Sequence, residues 1–106
     1  MNLKENHGVL DLSLERGVIQ LTGRFSQDRL IIKNADSVTI DFSQCFLNTS
    51  HKEDSIVIDS PRDTVLVGAK LNNALTVWGS EFKIKDTYFE GALNCLNAKV
   101  FLSKNN

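Results

Sequence analysis

The sequence predicts an all-β solenoid, a short parallel β-helix of about five coils, from three observations. Apolar residues alternate at period two, the alternating runs recur at intervals of 18 to 26 residues, and small turn-forming residues fall between them in register. The alternation is seen in Leu10-Asp11-Leu12-Ser13-Leu14, Leu30-Ile31-Ile32, Ile56-Val57-Ile58, Leu75-Thr76-Val77 and Leu93-Asn94-Cys95, and no segment carries the 3.6-residue periodicity of an amphipathic helix.

Each run opens a repeat. The starts at 10, 30, 56, 75 and 93 are separated by 20, 26, 19 and 18 residues. A second apolar pair follows in every repeat: Ile19 and Leu21, Val38 and Ile40, Val65 and Val67, Phe82 and Ile84, Val100 and Leu102. Between the two sets lie Asn34-Ala35-Asp36-Ser37, Ser60-Pro61-Arg62-Asp63, Gly79-Ser80-Glu81 and Asn97-Ala98-Lys99, residue types that turn a chain. A third, looser apolar position falls near Phe25, Phe46 or Leu47, Leu71, and Tyr88 or Phe89, so each repeat has about three sides. Three-sided coils stacked at strand spacing, about 4.8 Å, give five coils a length of about 24 Å. An antiparallel sandwich is the competing arrangement, but it gives no reason for small residues to keep one corner through four successive units.

The inward positions then read Leu30/Ile32, Ile56/Ile58, Leu75/Val77 and Leu93/Cys95, a stacked core in which Cys95 counts as a core thiol. Asn34, Ser60 and Asn97 share a corner where side chains can bond along the axis. Strings such as LIIKNADSVTIDFSQCFLN and FKIKDTYFEG resemble the right-handed parallel β-helix families, the pectate-lyase-like and phage tailspike-like folds, over roughly residues 9 to 103. The resemblance implies a right-handed coil and speaks to architecture more than to activity.

The 106 residues suffice for one domain, with a polar segment, residues 1–8, that covers or frays from the first coil and a polar loop at about 48–55 created by the long interval. With 12 Lys+Arg against 13 Asp+Glu and a net charge of -1 there is no basic footprint, so direct nucleic-acid or membrane-surface binding is not expected. No apolar run has the length of a membrane span, and the start, MNLKENHG, does not read as a signal peptide, so a cytoplasmic location and two reduced cysteines are expected.

Catalytic patterns are sparse. The sequence has no glycine-rich phosphate loop, no G-x-S-x-G and no C-x-x-C, and it implies no cofactor. A lyase or glycosidase reading requires Asp59, Lys33 and Asp41 to converge, whereas the alternation sets Asp41 and Asp59 on different faces. The corner group Asp36, Arg62, Asp63, Glu81 and Lys99 reads as a solvated charge ladder. His51, Glu53 and Asp54 are the nearest approach to a metal-ligand cluster, but three neighbouring polar loop residues read more simply as solvated, and no metal is expected.

Two features point to a partner. In the predicted register Ile31, Val57, Trp78 and Leu96 form an apolar stripe facing away from the core, with a tryptophan of the kind that anchors interfaces. The projecting loop, with His51, Glu53 and Asp54, is the second candidate for recognition. In size, in the absence of catalytic patterns and in the exposed stripe, the chain is similar to small phage inhibitors of bacterial defence systems, anti-CRISPR proteins among them. That similarity implies a non-enzymatic protein-binding module that blocks a surface of a host defence complex. The alternative is a structural or carbohydrate-binding segment of a trimeric phage tail fibre or spike, a homo-oligomer in which the stripe is the seam between chains.

Overall fold

Every alternating run of the sequence becomes a parallel strand stacked on the run before it. The computed structural model describes residues 1–51 and 53–106, and all regular structure among them is strand. Coil one contains β1 (Val9–Asp11) and β2 (Gly17–Gln27), and coil two β3 (Leu30–Lys33) and β4 (Val38–Thr49). Coil three contains β5 (Ile56–Asp59), β6 (Thr64–Val67) and β7 (Lys70–Leu71). Coil four contains β8 (Leu75–Lys85) and β9 (Tyr88–Phe89), and coil five β10 (Leu93–Ser103). All pairings between these strands are parallel, which makes the chain a β-solenoid of about five turns and excludes the antiparallel sandwich.

On the first face the register runs Leu30, Ile56, Leu75, Leu93, and two residues on, Ile32, Ile58, Val77, Cys95. These are the expected inward columns. Coil one differs: Leu10 stands beside Ile32 rather than Leu30, a slip of two residues. A slip of two keeps every side chain on its own side of the strand, so alternation cannot detect it. On the second face Ile19 likewise pairs with Ile40 rather than Val38.

Coil three of the second face is displaced by one. Leu66 pairs with Ile40 and Ile84, and Thr64 with Phe82, so Thr64 and Leu66 point inward while Val65 and Val67 point out and are only half-buried. Three consecutive apolar residues, Val65-Leu66-Val67, leave the local pattern ambiguous. The structure accommodates the buried Thr64 hydroxyl by letting it donate to the carbonyls of Arg62, at 2.8 Å, and Ala35, at 3.3 Å. A buried hydroxyl bonded in this way avoids the desolvation cost of an unpaired one.

The corners are conformationally matched. Asn34, Ser60, Gly79 and Asn97 occupy one position of four successive coils, and all have positive φ, at 61°, 51°, 76° and 54°. The left-handed region is open to glycine and least costly for short polar side chains, which is why such residues recur there. The expected bonding along the axis is met in part: Asn34 donates to the Asp11 carboxylate of the preceding coil at 3.0 Å, whereas the Ser60 hydroxyl bonds locally, to Asp59 at 3.1 Å. At the next corner Gly68, Asp86 and Lys104 form a second left-handed set.

The two ends of the core differ. At the first coil the Leu3 amide donates to the Thr22 carbonyl and the Thr22 amide to the Met1 carbonyl, which lays residues 1–3 along β2 and seats Leu3, fully buried, over the core. The polar opening segment therefore covers the coil rather than fraying from it. At the other end Cys95 is exposed and Leu93 and Val100 only half-buried, so Cys95 lies in an inward column without being a core thiol. Its column ends at the fifth coil, and nothing among the described residues lies beyond it.

Candidate interaction surface on the first face

Outward from the first face run two columns rather than one stripe. Ile31, Val57, Thr76 and Asn94 make the first; Lys33, Asp59, Trp78 and Leu96 make the second. Ile31 is half-buried and Val57 is 0% exposed, whereas Trp78 and Leu96 are 39% and 53% exposed. The continuous apolar stripe predicted from the alternation is thus corrected to a pair, Trp78 with Leu96, neighbours across the β8–β10 ladder.

The loop between β4 and β5 explains the burial of Val57. It lies along the face instead of projecting; Lys52, one of its residues, lies outside the described residues. At its start the His51 amide donates to the Asp28 carbonyl at 2.9 Å and the Ser50 hydroxyl to the Asp28 carboxylate at 2.8 Å. At its end the Thr76 hydroxyl donates to Asp54 at 2.7 Å, and the Asn94 amide group reaches the Glu53 carbonyl at 3.5 Å. These bonds fix the loop to the first outward column. Local sequence could not show this, because the anchors Thr76 and Asn94 follow about 20 and 40 residues later.

His51 is half-buried and sits inside this arrangement. The Asp54 amide donates to its Nδ1 at 3.1 Å, and Arg29 Nη2 lies 2.7 Å from its Nε2. Both ring nitrogens are therefore turned toward groups that hold the loop, and a guanidinium stands where a metal ion would add a second positive charge. Glu53 is exposed and Asp54 half-buried with its carboxylate committed to Thr76. Of the seven residues predicted to meet a partner, Trp78, Leu96 and Glu53 present surface, while Ile31, Val57, His51 and Asp54 lie partly or wholly beneath it.

The carboxylates do not converge. Lys33 and Asp59 are neighbours on the first face, but Asp41 lies on the second, paired with Gln20 and Val67. Hydrogen bonds from Ser43, with a lesser one from Gln20, hold the Asp41 carboxyl below the usual 3.8. Asp11 is lowered in the same direction, first by the Asn34 side chain and then by Ser13. Each acid accepts from the backbone two residues on and from a side chain of an adjacent coil. In the corner group, Asp36 and Arg62 share a backbone β-bridge, and Glu81 stands beside Lys99 in the β8–β10 register.

The third side carries surface that the sequence left undecided. Of the alternatives posed by the looser apolar position, Leu47 pairs with buried Phe25 and Phe89 with buried Leu71, and these pack against the core, while Phe46 and Tyr88 point outward and are exposed. The Arg24 guanidinium lies 4.9 Å above the Phe46 ring, a cation–π contact between adjacent coils. Beside it runs a groove of about 540 Å³ lined by Phe46, Leu47, Lys70, Leu71, Tyr88 and Glu90, among others. Phe46-Leu47 and Tyr88-Phe89 each offered two apolar residues for one inward place, so only the paired register decides which faces out.

Among the described residues no helix is long and apolar enough to cross a membrane, and no cluster of three metal-ligating side chains is present. No protein-family model, curated protein or solved structure matches the chain.

Proposed function

We infer that the chain is a non-enzymatic binding module that docks on a larger protein through the outer side of its first face. The observation that carries this reading is the pairing of Trp78 with Leu96, two large apolar side chains exposed together on a rigid ladder. A tryptophan pre-set by strands on both sides loses little conformational freedom on binding, and such residues supply a large share of interface energy. The loop beside them places exposed Glu53 on the same face and gives the apolar pair a polar rim.

For the partner, the reading that fits a small module of this kind is a host defence complex blocked by a phage or mobile-element inhibitor, as anti-CRISPR proteins do. The tail-fibre alternative needs a seam that runs along the axis from coil to coil, and the loop across Val57 and Thr76 interrupts it.

The test is to express the chain in bacteria whose CRISPR system targets an infecting phage, and to count plaques. Restored plating with the wild-type chain, reduced at least about tenfold by Trp78→Ala in a protein that remains folded, is the expected result. Unchanged immunity across the CRISPR types tried, together with a stable trimer in solution, would overturn the inhibitor reading in favour of the fibre.

A further inference from the structure

We propose that the fifth coil is a self-association surface, on which a second copy of this chain stacks end to end to form a closed, two-fold symmetric dimer. Strand β10 runs for 11 residues along two faces and pairs on one side only, with β8. Its other edge presents unpaired backbone groups, which is a template for another strand. The side chains that this edge brings with it are core residues. Leu93, Cys95, Val100 and Leu102 continue the columns of Leu75, Val77, Phe82 and Ile84, which are fully buried one coil earlier, yet Leu102 is 57% exposed.

A second copy matches this end through its register. The left-handed corner at Asn97 changes the parity of the strand: Leu93 and Cys95 point inward before it, Val100 and Leu102 after it. A two-fold axis through the corner sets the first face of one copy antiparallel to the second face of the other. Leu93 then lies opposite Leu102 of the second copy, and Cys95 opposite its Val100. Inward side chains meet inward side chains, and the two cores become one. Lys99 falls opposite Leu96 of the second copy rather than opposite its own counterpart, so the arrangement does not pair like charges directly.

The geometry also favours a pair over a filament. Head-to-tail stacking would have to displace residues 1–3, which are hydrogen-bonded along β2 and seat Leu3 over the core, and would find only the three-residue edge of β1 free. The pairing is small. A three-sided section within Cα extents of 29 × 29 Å offers roughly 400 Å² per copy, about half of the ~800 Å² per partner of a standard interface. The dimer is therefore expected to be weak, with a dissociation constant in the micromolar range or above.

The experiment is sedimentation velocity on the full chain from about 1 µM to about 500 µM, a span that brackets association of this strength. The expected result is a shift from the 11.8 kDa monomer to twice that mass. Leu102→Lys should raise the dissociation constant at least about tenfold, because it places a charge in the joined core, while Trp78→Ala should change it less than about twofold. Hydrogen exchange on the wild type supplies a measure independent of any variant: β10 amides should exchange at least about tenfold more slowly at the high concentration. A monomer throughout, a trimer, β10 exchange independent of concentration, or a dimer dissolved by Trp78→Ala and kept by Leu102→Lys would each overturn the proposal. The readouts are separate from plaque restoration, so failure here leaves the inhibitor reading standing, and the reverse.

Discussion

The Thr76 hydroxyl donates a 2.7 Å hydrogen bond to the carboxylate of Asp54, tying a loop that follows coil two to a strand of coil four. Beneath that tie Val57 is shut away from water although it stands on the outward side of its strand. A polar contact between residues 22 apart thus helps to hold the loop over part of the first face.

Thr76→Val keeps the shape and removes the donor, leaving Asp54 free to return to water. The expected cost is about 1.5–3 kcal/mol in chemical denaturation, the range for a hydrogen bond to a charged group. Cleavage after Glu53 by a glutamate-specific protease should accelerate in the same variant. An unchanged cleavage rate would show that the remaining bonds, to Asp28 and from Asn94, hold the loop unaided.

Gly79 occupies the corner that Asn34, Ser60 and Asn97 occupy in other coils, at φ 76°. A Cβ placed there meets nothing nearer than the Ser60 hydroxyl oxygen at 3.9 Å, so the conformation and not space limits what can replace it. Gly79→Asn should cost under about 1 kcal/mol in thermal or chemical unfolding, and Gly79→Val about 1–3 kcal/mol, because a β-branched residue is poorly accommodated in the left-handed region. Equal costs for the two would contradict the corner assignment.

The two thiols should react very differently. Burial, with a smaller contribution from Asp41, pushes the Cys45 thiol up to about 11, and its sulfur lies 3.4 Å from the Phe42 carbonyl. Cys95 is exposed on the last coil. At pH 8 a thiol reagent under native conditions should label Cys95 first and Cys45 at least about a hundredfold more slowly, since only the thiolate attacks. Mass spectrometry of a labelling time course checks this, and crowding at high protein concentration should slow Cys95 if the fifth coils pair.

Acid should remove a stabilising contribution from Asp11 and Asp41. Each is held below its ordinary value of 3.8 in the folded chain, Asp11 chiefly by Asn34 and Asp41 chiefly by Ser43. A carboxyl that is harder to protonate when folded contributes stability above its unfolded value and loses it as pH falls through the lowered folded value. The unfolding midpoints of Asp11→Asn and Asp41→Asn should therefore lie below wild type at neutral pH and converge on it as pH drops below 3.8. A gap that stays constant with pH would mean that the carboxylate charge plays no part.

Leu30, Ile56, Leu75 and Leu93 could be aligned from their spacing because a solenoid repeats one local rule, an inward apolar residue at every second position and a turn at a set distance. The left-handed corner was legible for the same reason, since Asn34, Ser60, Gly79 and Asn97 are the residue types that tolerate it. Strand type, parallel stacking, the number of coils and the inward columns of the first face thus follow from the order of residues alone.

Tertiary structure decided what local alternation leaves degenerate. Leu10 slipped by two residues and Val65 and Val67 turned outward because a two-residue shift conserves sidedness and an unbroken apolar run does not specify it. Val57, outward by its strand, is buried under the loop that precedes it, which the distant Thr76 and Asn94 hold down, and Cys95, inward by its column, is exposed because no described residue covers its coil. Sidedness is a property of one strand. Burial depends on which other parts of the chain arrive to cover it, and those contacts exist only once the coils have stacked.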